Sequence, residues 1–161
     1  MFGFGCADDG PGPDASDCPI AGNPTLEIGV PDPVTFLDFE PLTSGGDIPL
    51  SSNGQTFLAV QLAIRATNLS RFANIDMTVT YSPPGMPVRT AVKDSTQQER
   101  LFCFDDPTGT PKLHLVPVVV SSEMLGSDLE IAGQPVDIDI TVTDAEARTV
   151  SGQASGVLQR I

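Results

Sequence analysis

Hydrophobic and polar residues alternate with a period of two over most of this chain, a rhythm that predicts strands rather than helices. The strongest run is Thr56–Ala66, where Leu58, Val60, Leu62 and Ile64 share one face and Ala59, Gln61, Ala63 and Arg65 the other. Asn74–Tyr81 sets Ile75, Met77, Val79 and Tyr81 inward against Asp76, Thr78 and Thr80. Ser82-Pro83-Pro84-Gly85 then turns the chain into Val88–Val92, a hairpin. The clearest pair comes last. Val136, Ile138, Ile140 and Val142 alternate with Asp137, Asp139, Thr141 and Thr143, Asp144–Ala147 turns, and Arg148–Leu158 returns.

Shorter pieces fill the intervals. Leu26, Ile28 and Val30 alternate until Pro31-Asp32-Pro33, and Val34–Phe39 reads as a second extended segment. Turn residues at Ser44–Asp47 and Ser51–Gly54 bracket a strand at Ile48–Leu50. Asp94–Arg100 is a polar connection compatible with one helical turn, and Leu101–Phe104 is a short apolar piece ended by Asp105–Gly109. Leu113–Val120 is a strand in which Pro117 demands an edge or a bulge. Ser121–Gly133 reads as a loop with helical character around Ser122–Leu125. Seven to nine short strands separated by turns predict an all-β chain, an antiparallel β-sandwich with one solvated face per sheet. The expected core is Leu58, Val60, Leu62, Ile64, Ile75, Met77, Val79, Ile138, Ile140 and Val142.

Composition agrees with that reading. The chain's 161 residues suit one domain, and 15 Gly with 15 Pro supply turns and oppose long helices. With eight Phe, one Tyr and no Trp, the core must be built mainly from Val, Leu and Ile. Residues 7–24 hold four Asp, four Pro and three Gly with little to bury, so they are expected to be a tether and residues 25–161 the sandwich domain. A net charge of −13 repels phosphate backbones and anionic headgroups, which argues against nucleic-acid binding and peripheral membrane binding. No run approaches the roughly 18 apolar residues of a membrane-spanning helix.

Candidate chemistry is sparse. His114 is the only histidine and falls on the strand face opposite Leu113 and Leu115, a structural position. No GxSxG, HExxH or CxxC is present, so the expectation is a chain that is not an enzyme and needs no cofactor. Acidic pairs in loops, Asp105 with Asp106 and Asp144 with Glu146, are the candidates for a Ca²⁺ site. Calcium takes about six to eight oxygen ligands, which loops at one end of a sandwich can supply, though the EF-hand pattern is missing. Glycan sites favour Trp and Tyr platforms, which this chain lacks.

Two resemblances bear on location and fold. Phe2-Gly3-Phe4-Gly5-Cys6 resembles the cleavage region of bacterial lipoproteins, departing from it at Gly3, where an aliphatic residue is usual. That resemblance implies a signal-peptide remnant, acylation of Cys6, and an extracytoplasmic place at the outer membrane, periplasm or cell surface. Val136–Asp144 with the return through Val150 resembles the final strand pair of bacterial immunoglobulin-like and PKD-like domains. Phe39–Leu50 and Gly54–Leu69 are similar to secreted proteins of environmental Gram-negative bacteria. Together these imply an immunoglobulin-like sandwich serving as an interaction or structural module, its partner a protein or a cell-envelope polymer. The alternative is a Ca²⁺- or glycan-binding module of the cell surface.

If Cys6 carries lipid, an even pair remains, Cys18 and Cys103, and a disulfide between them would tie the tail to the body. Cys6 with Cys18 is the other possible pairing. In Leu101-Phe102-Cys103-Phe104 the expectation is that both Phe point into the core and Cys103 outward, with Ile20 covering part of the outer face.

Overall fold

The computed structural model describes residues 18–32, 39–52, 58–82, 85, 87–93, 97–121 and 132–160. In chain order they form β1 (Thr25–Pro31), β2 (Phe39–Pro41), β3 (Gly46–Ser52), β4 (Leu58–Thr67), β5 (Phe72–Tyr81), β6 (Arg89–Lys93), β7 (Glu99–Arg100), β8 (Phe102–Asp105), β9 (Pro111–Ser121), β10 (Pro135–Asp144) and β11 (Thr149–Arg160). Among the described residues there is no helix. Beyond the expected strands there are two extra pieces, β2 and β7, of three and two residues, too short for alternation to betray them. Glu99 and Arg100, expected in a polar connection, instead pair with Ala73 and Phe72. The helical character expected at Ser122–Leu125 lies outside the described residues, as do Val34–Asp38.

One layer is centred on β4. One edge of β4 pairs with β1, from Thr25↔Thr67 to Gly29↔Ala63, and the other with β9, from Ala66↔Leu113 to Ala59↔Ser121. Beyond these, β2 borders β1 and β8 borders β9. In the second layer β10 lies between β5 and β11, and β6 borders β5. β3 belongs to both layers. Its Gly46–Leu50 runs parallel to Gly156–Arg160 of β11, after which Leu50–Ser52 pairs antiparallel with β4. The order β3-β4-β9-β8 against β11-β10-β5-β6, with the leading strand shared between layers, is the immunoglobulin arrangement. The β1–β2 pair is added along the rest of the β4 edge. Opposite Ala63, β9 carries two residues, Val116 and Pro117, between Leu115 and Val118, so the bulge expected of Pro117 is present.

The core sits where the alternation places it. Val60, Leu62, Ile64, Ile75, Met77, Val79, Ile138, Ile140 and Val142 are all buried in one cluster; the Leu58 side chain lies outside those described. The outer face of β4 departs from expectation, because Ala63 is 0% exposed and Ala59 is also buried. Gly29 explains the first. A Cβ on Gly29, which pairs with Ala63, would meet a Phe39 ring carbon at 2.6 Å, so the missing side chain is what lets that ring lie across both small residues.

The β8 orientation is the reverse of the expected one. Phe102 and Phe104 are 43% and 58% exposed, whereas Cys103 packs against the core. Register decides it: Cys103 pairs with Leu113, which is fully buried, so both face inward. Leu101, also buried, crosses between the layers, its N–H donating to the Arg71 carbonyl at 2.7 Å. Ile20, expected to cover part of the outer face, is 47% exposed.

Candidate interaction face

Cross-strand pairing lines up four side chains on the outer face of the β4 layer. Glu27 of β1 pairs with Arg65 of β4, Arg65 with His114 of β9, and His114 with Phe102 of β8. Side chains of such neighbours touch. Arg65 Nε donates to His114 Nδ1 at 3.3 Å, while the same guanidinium lies 4.3 Å over the Phe39 ring. The Phe104 ring stands at 90° to His114 with centroids 5.8 Å apart, and Phe102 is 6.4 Å from Phe104. Arg100 closes the row, 5.4 Å over the Phe102 ring. Lys112, paired with Phe104, bridges Glu27 at 2.8 Å and Asp106 at 3.0 Å. Glu27 raises the Lys112 pKa and outweighs its partial burial. The result is a rigid apolar strip, two exposed Phe edged by arginines, on a chain whose net charge is −13.

His114 is neutral here. Its Nδ1 accepts from Arg65, which puts the ring proton on Nε2, and Nε2 is buried with no hydrogen-bond partner among the described residues. Burial, reinforced by the Arg65 and Lys112 charges, pushes its pKa down to about 4. The unfolded imidazole takes its proton near pH 6.5. The unfolded state therefore binds the extra proton first, and stability falls as pH drops from about 6.5 toward 4. Because this is the only histidine, urea unfolding at pH 7 and 5.5 is expected to differ by about 0.5–1 kcal/mol, after allowance for partial exposure. His114→Gln is expected to abolish most of that difference. A variant retaining the full pH 7 to 5.5 slope would contradict the assignment.

The cysteines and carboxylates chosen from sequence are placed as follows. Cys6 lies outside the described residues. Cys18 and Cys103 are disulfide-bonded, Cα atoms 5.5 Å apart, which excludes the Cys6–Cys18 pairing. The residues after Cys18 are held at Asn68, whose side chain accepts from the Ala21 N–H and donates to the Asn23 carbonyl, both at 2.9 Å.

Asp106 and Asp144 occupy matching positions in two hairpin turns. Asp106 Oδ1 accepts from the Thr108 N–H and hydroxyl and from the Thr110 N–H. Those bonds, the Thr108 hydroxyl foremost, with Lys112, hold the Asp106 carboxyl well below the usual range. Asp144 Oδ1 accepts from the Glu146 and Arg148 N–H groups, and Oδ2 from Ser70 N–H and Arg148 Nε. In each turn the fourth residue, Gly109 or Ala147, is left-handed, with φ of 78° and 63°. Asp105 and Glu146 are exposed at the same turns, Glu146 paired with Arg148. Both buried carboxylates are thus filled by donors of their own folds, and no group of three His, Cys, Asp or Glu able to hold a metal occurs among the described residues. Alternation flagged neither His114 nor Phe39 as a partner of Arg65, since His114 meets it only across the β4–β9 ladder and Phe39 only through pairing of β1 with β2.

No protein-family model matches the chain, and no curated protein matches it in sequence. Among solved structures, murine CRIg aligns with 87% of this chain and 99% of its own, at 13% identity and a TM-score of 0.35. The fold assignment rests on the strand order above.

Proposed function

We propose that this chain is a non-catalytic interaction module working outside the cytoplasm, acylated at Cys6, held off the membrane by the segment between Cys6 and Cys18, and binding a protein or cell-envelope polymer through its Phe102–Phe104 face. The observation that carries the binding part is that face: exposed aromatic rings on a strand fixed by a disulfide, flanked by Arg65 and Arg100. Large exposed apolar groups on a rigid sheet cost solubility without return unless they are used. His114, which an enzyme of this kind would need as a base, has its acceptor nitrogen taken by Arg65. A Cys18–Cys103 bond fits an oxidising compartment. No helix among the described residues is long and apolar enough to cross a membrane, which leaves the lipid as the anchor in this reading.

Mass spectrometry of the chain from its native host tests the location: it is expected to begin at Cys6 with added acyl mass. An unmodified chain starting at Met1 would defeat it. For the face, Phe102→Ser with Phe104→Ser should leave the chain folded, with a modest fall in melting temperature from the lost contacts to His114 and Arg100, yet cut retention on host envelope preparations about tenfold. Undiminished retention would remove the face from the proposal.

A further inference from the structure

The outer edge of β11 is only half used. β3 runs beside Gly156–Arg160 and then leaves, because the chain turns at Thr43–Gly46. Its last bond is Gly45 N–H to the Ser155 carbonyl at 3.1 Å. Backbone groups point alternately to the two edges of a strand, so Ser151 and Gln153 present N–H and C=O to the same edge as Ser155. Among the described residues no strand pairs with that edge from Thr149 to Ala154. Beside it lies a groove of about 1000 Å³ between β1–β2 and β10–β11, with Leu26, Ile28, Leu42, Ile138, Gly152 and Ala154 in its lining. Six partly buried hydrophobics pack against the core, and four of them, Leu26, Ile28, Leu42 and Val150, lie on β11 or the groove wall facing it. On this side Leu26 and Ile28 of β1 reach across to Gly152 of β11, with no strand between them among the described residues.

We propose that this edge accepts an extended segment of a partner protein as an added strand, with apolar side chains pointing into the groove and Lys or Arg pointing outward. The backbone edge supplies main-chain hydrogen bonds, and the groove beside it, where Leu26 and Ile28 lie against Gly152, offers an apolar wall to the partner's inward side chains. Outward side chains of the added strand fall beside Ser151 and Gln153, one strand away from exposed Asp137 and Asp139. Two inter-strand spacings are about 10 Å, close to a Debye length, so those carboxylates and the overall charge of −13 favour cations there. A second copy fits poorly. It carries the same charge, and its β11 would offer Gly152 and Ala154 to a groove that needs larger groups. The groove also touches Glu27, Phe39, Arg65 and Lys112 beside the Phe102–Phe104 face, so the exchange footprint, at Ser151 and Gln153 or at Phe102 and Phe104, tells the two sites apart.

The test uses the oxidised full chain and capped peptides of about seven residues alternating Val with Lys, or Val with Glu. The Val–Lys peptide is expected to bind saturably, at least about tenfold tighter than the Val–Glu peptide. It should slow amide exchange at Ser151 and Gln153. Gln153→Pro removes the edge-facing N–H together with the exposed Gln153 Nε2 bond to Asp139, which Gln153→Ala removes alone; the Pro variant is expected to weaken binding about tenfold relative to the Ala variant with folding intact. Should that variant not fold, the exchange footprint on the unaltered chain still decides. The proposal is overturned by no saturation at about 1 mM, by protection at β6 or at Phe102–Phe104 instead, or by equal binding to Gln153→Pro and Gln153→Ala. It also fails if Ser151 and Gln153 are already protected in the free chain, or if a dimer forms through this edge.

Discussion

Replacing Cys18 and Cys103 with Ser is expected to lower the free energy of unfolding by about 3–5 kcal/mol. The two residues are 85 apart in sequence, so their bond removes a large loop from the conformations open to the unfolded chain. Native contacts add little independent hold on this end of the chain. The bonds from Ala21 and to Asn23 at Asn68 are exposed, worth about 1 kcal/mol each at most. Cys18 itself is 4% exposed and belongs to the core cluster, so losing the bond also frees a buried group. Cys18→Ser, Cys103→Ser and the double variant should be nearly equally destabilised, because each removes the same cross-link. Denaturant midpoints of oxidised, reduced and double-variant chains measure this. An unfolding free energy of the oxidised chain within about 0.5 kcal/mol of the reduced and double-variant chains would show that the cross-link contributes nothing.

The sequence made parts of this architecture legible for a simple reason. In β4, β5 and β10 only one face carries large apolar groups, and the alternation therefore names the buried set from Val60 to Val142 without knowledge of any partner strand. Cysteine pairing was legible by parity on the reading that gives Cys6 to a lipid. β8 was not, because it is only four residues long and its Phe102-Cys103-Phe104 is apolar on both faces. Its orientation comes from Leu113 across the ladder, a relation that alternation does not carry. The outer face of β4 was obscured for a similar reason. Ala63 looks like an exposed small residue until Gly29 is paired beside it with the Phe39 ring, both distant in sequence. β3 reads as an ordinary short strand, while its parallel pairing with β11 joins residues at opposite ends of the chain. The interaction face shares this limit: Glu27, Arg65, His114 and Phe102 come from four strands and form a row only after the registers are set.

Asp144→Ala is expected to cost about 3–4 kcal/mol, more than Asp106→Ala, although the two turns look alike. The difference lies in what each carboxylate joins. Asp106 bonds Thr108 and Thr110 of its own hairpin and pairs with Lys112, so its loss loosens one turn. Asp144 has a fully buried side chain and holds both its own turn, through Glu146 and Arg148, and the β4–β5 connection, through Ser70 N–H at 2.9 Å. Next to Ser70 is Leu69, a core residue, and the neighbouring Ala145 N–H donates to the Phe72 carbonyl, so that connection is part of the packing at this end. Truncation leaves Ser70 N–H and the Arg148 guanidinium facing a void, and a buried unsatisfied donor is the costly outcome. Asp144→Asn separates the contributions. An amide oxygen in the Oδ1 position keeps the Glu146 and Arg148 N–H bonds, but its NH₂ meets the Ser70 and Arg148 Nε donors. Its expected cost is intermediate, about 2 kcal/mol. Burial by itself raises the Asp144 pKa, but the Ser70 and Arg148 donors outweigh it and the net direction is down. A carboxyl depressed in the fold stabilises above its unfolded pKa and loses that contribution as pH falls through its folded value. Both Asp144 variants should therefore show a shallower loss of stability below about pH 4 than the native chain. Urea titrations at pH 7 and pH 3 give both quantities, and Asp144→Ala costing no more than Asp106→Ala would contradict the bridging role.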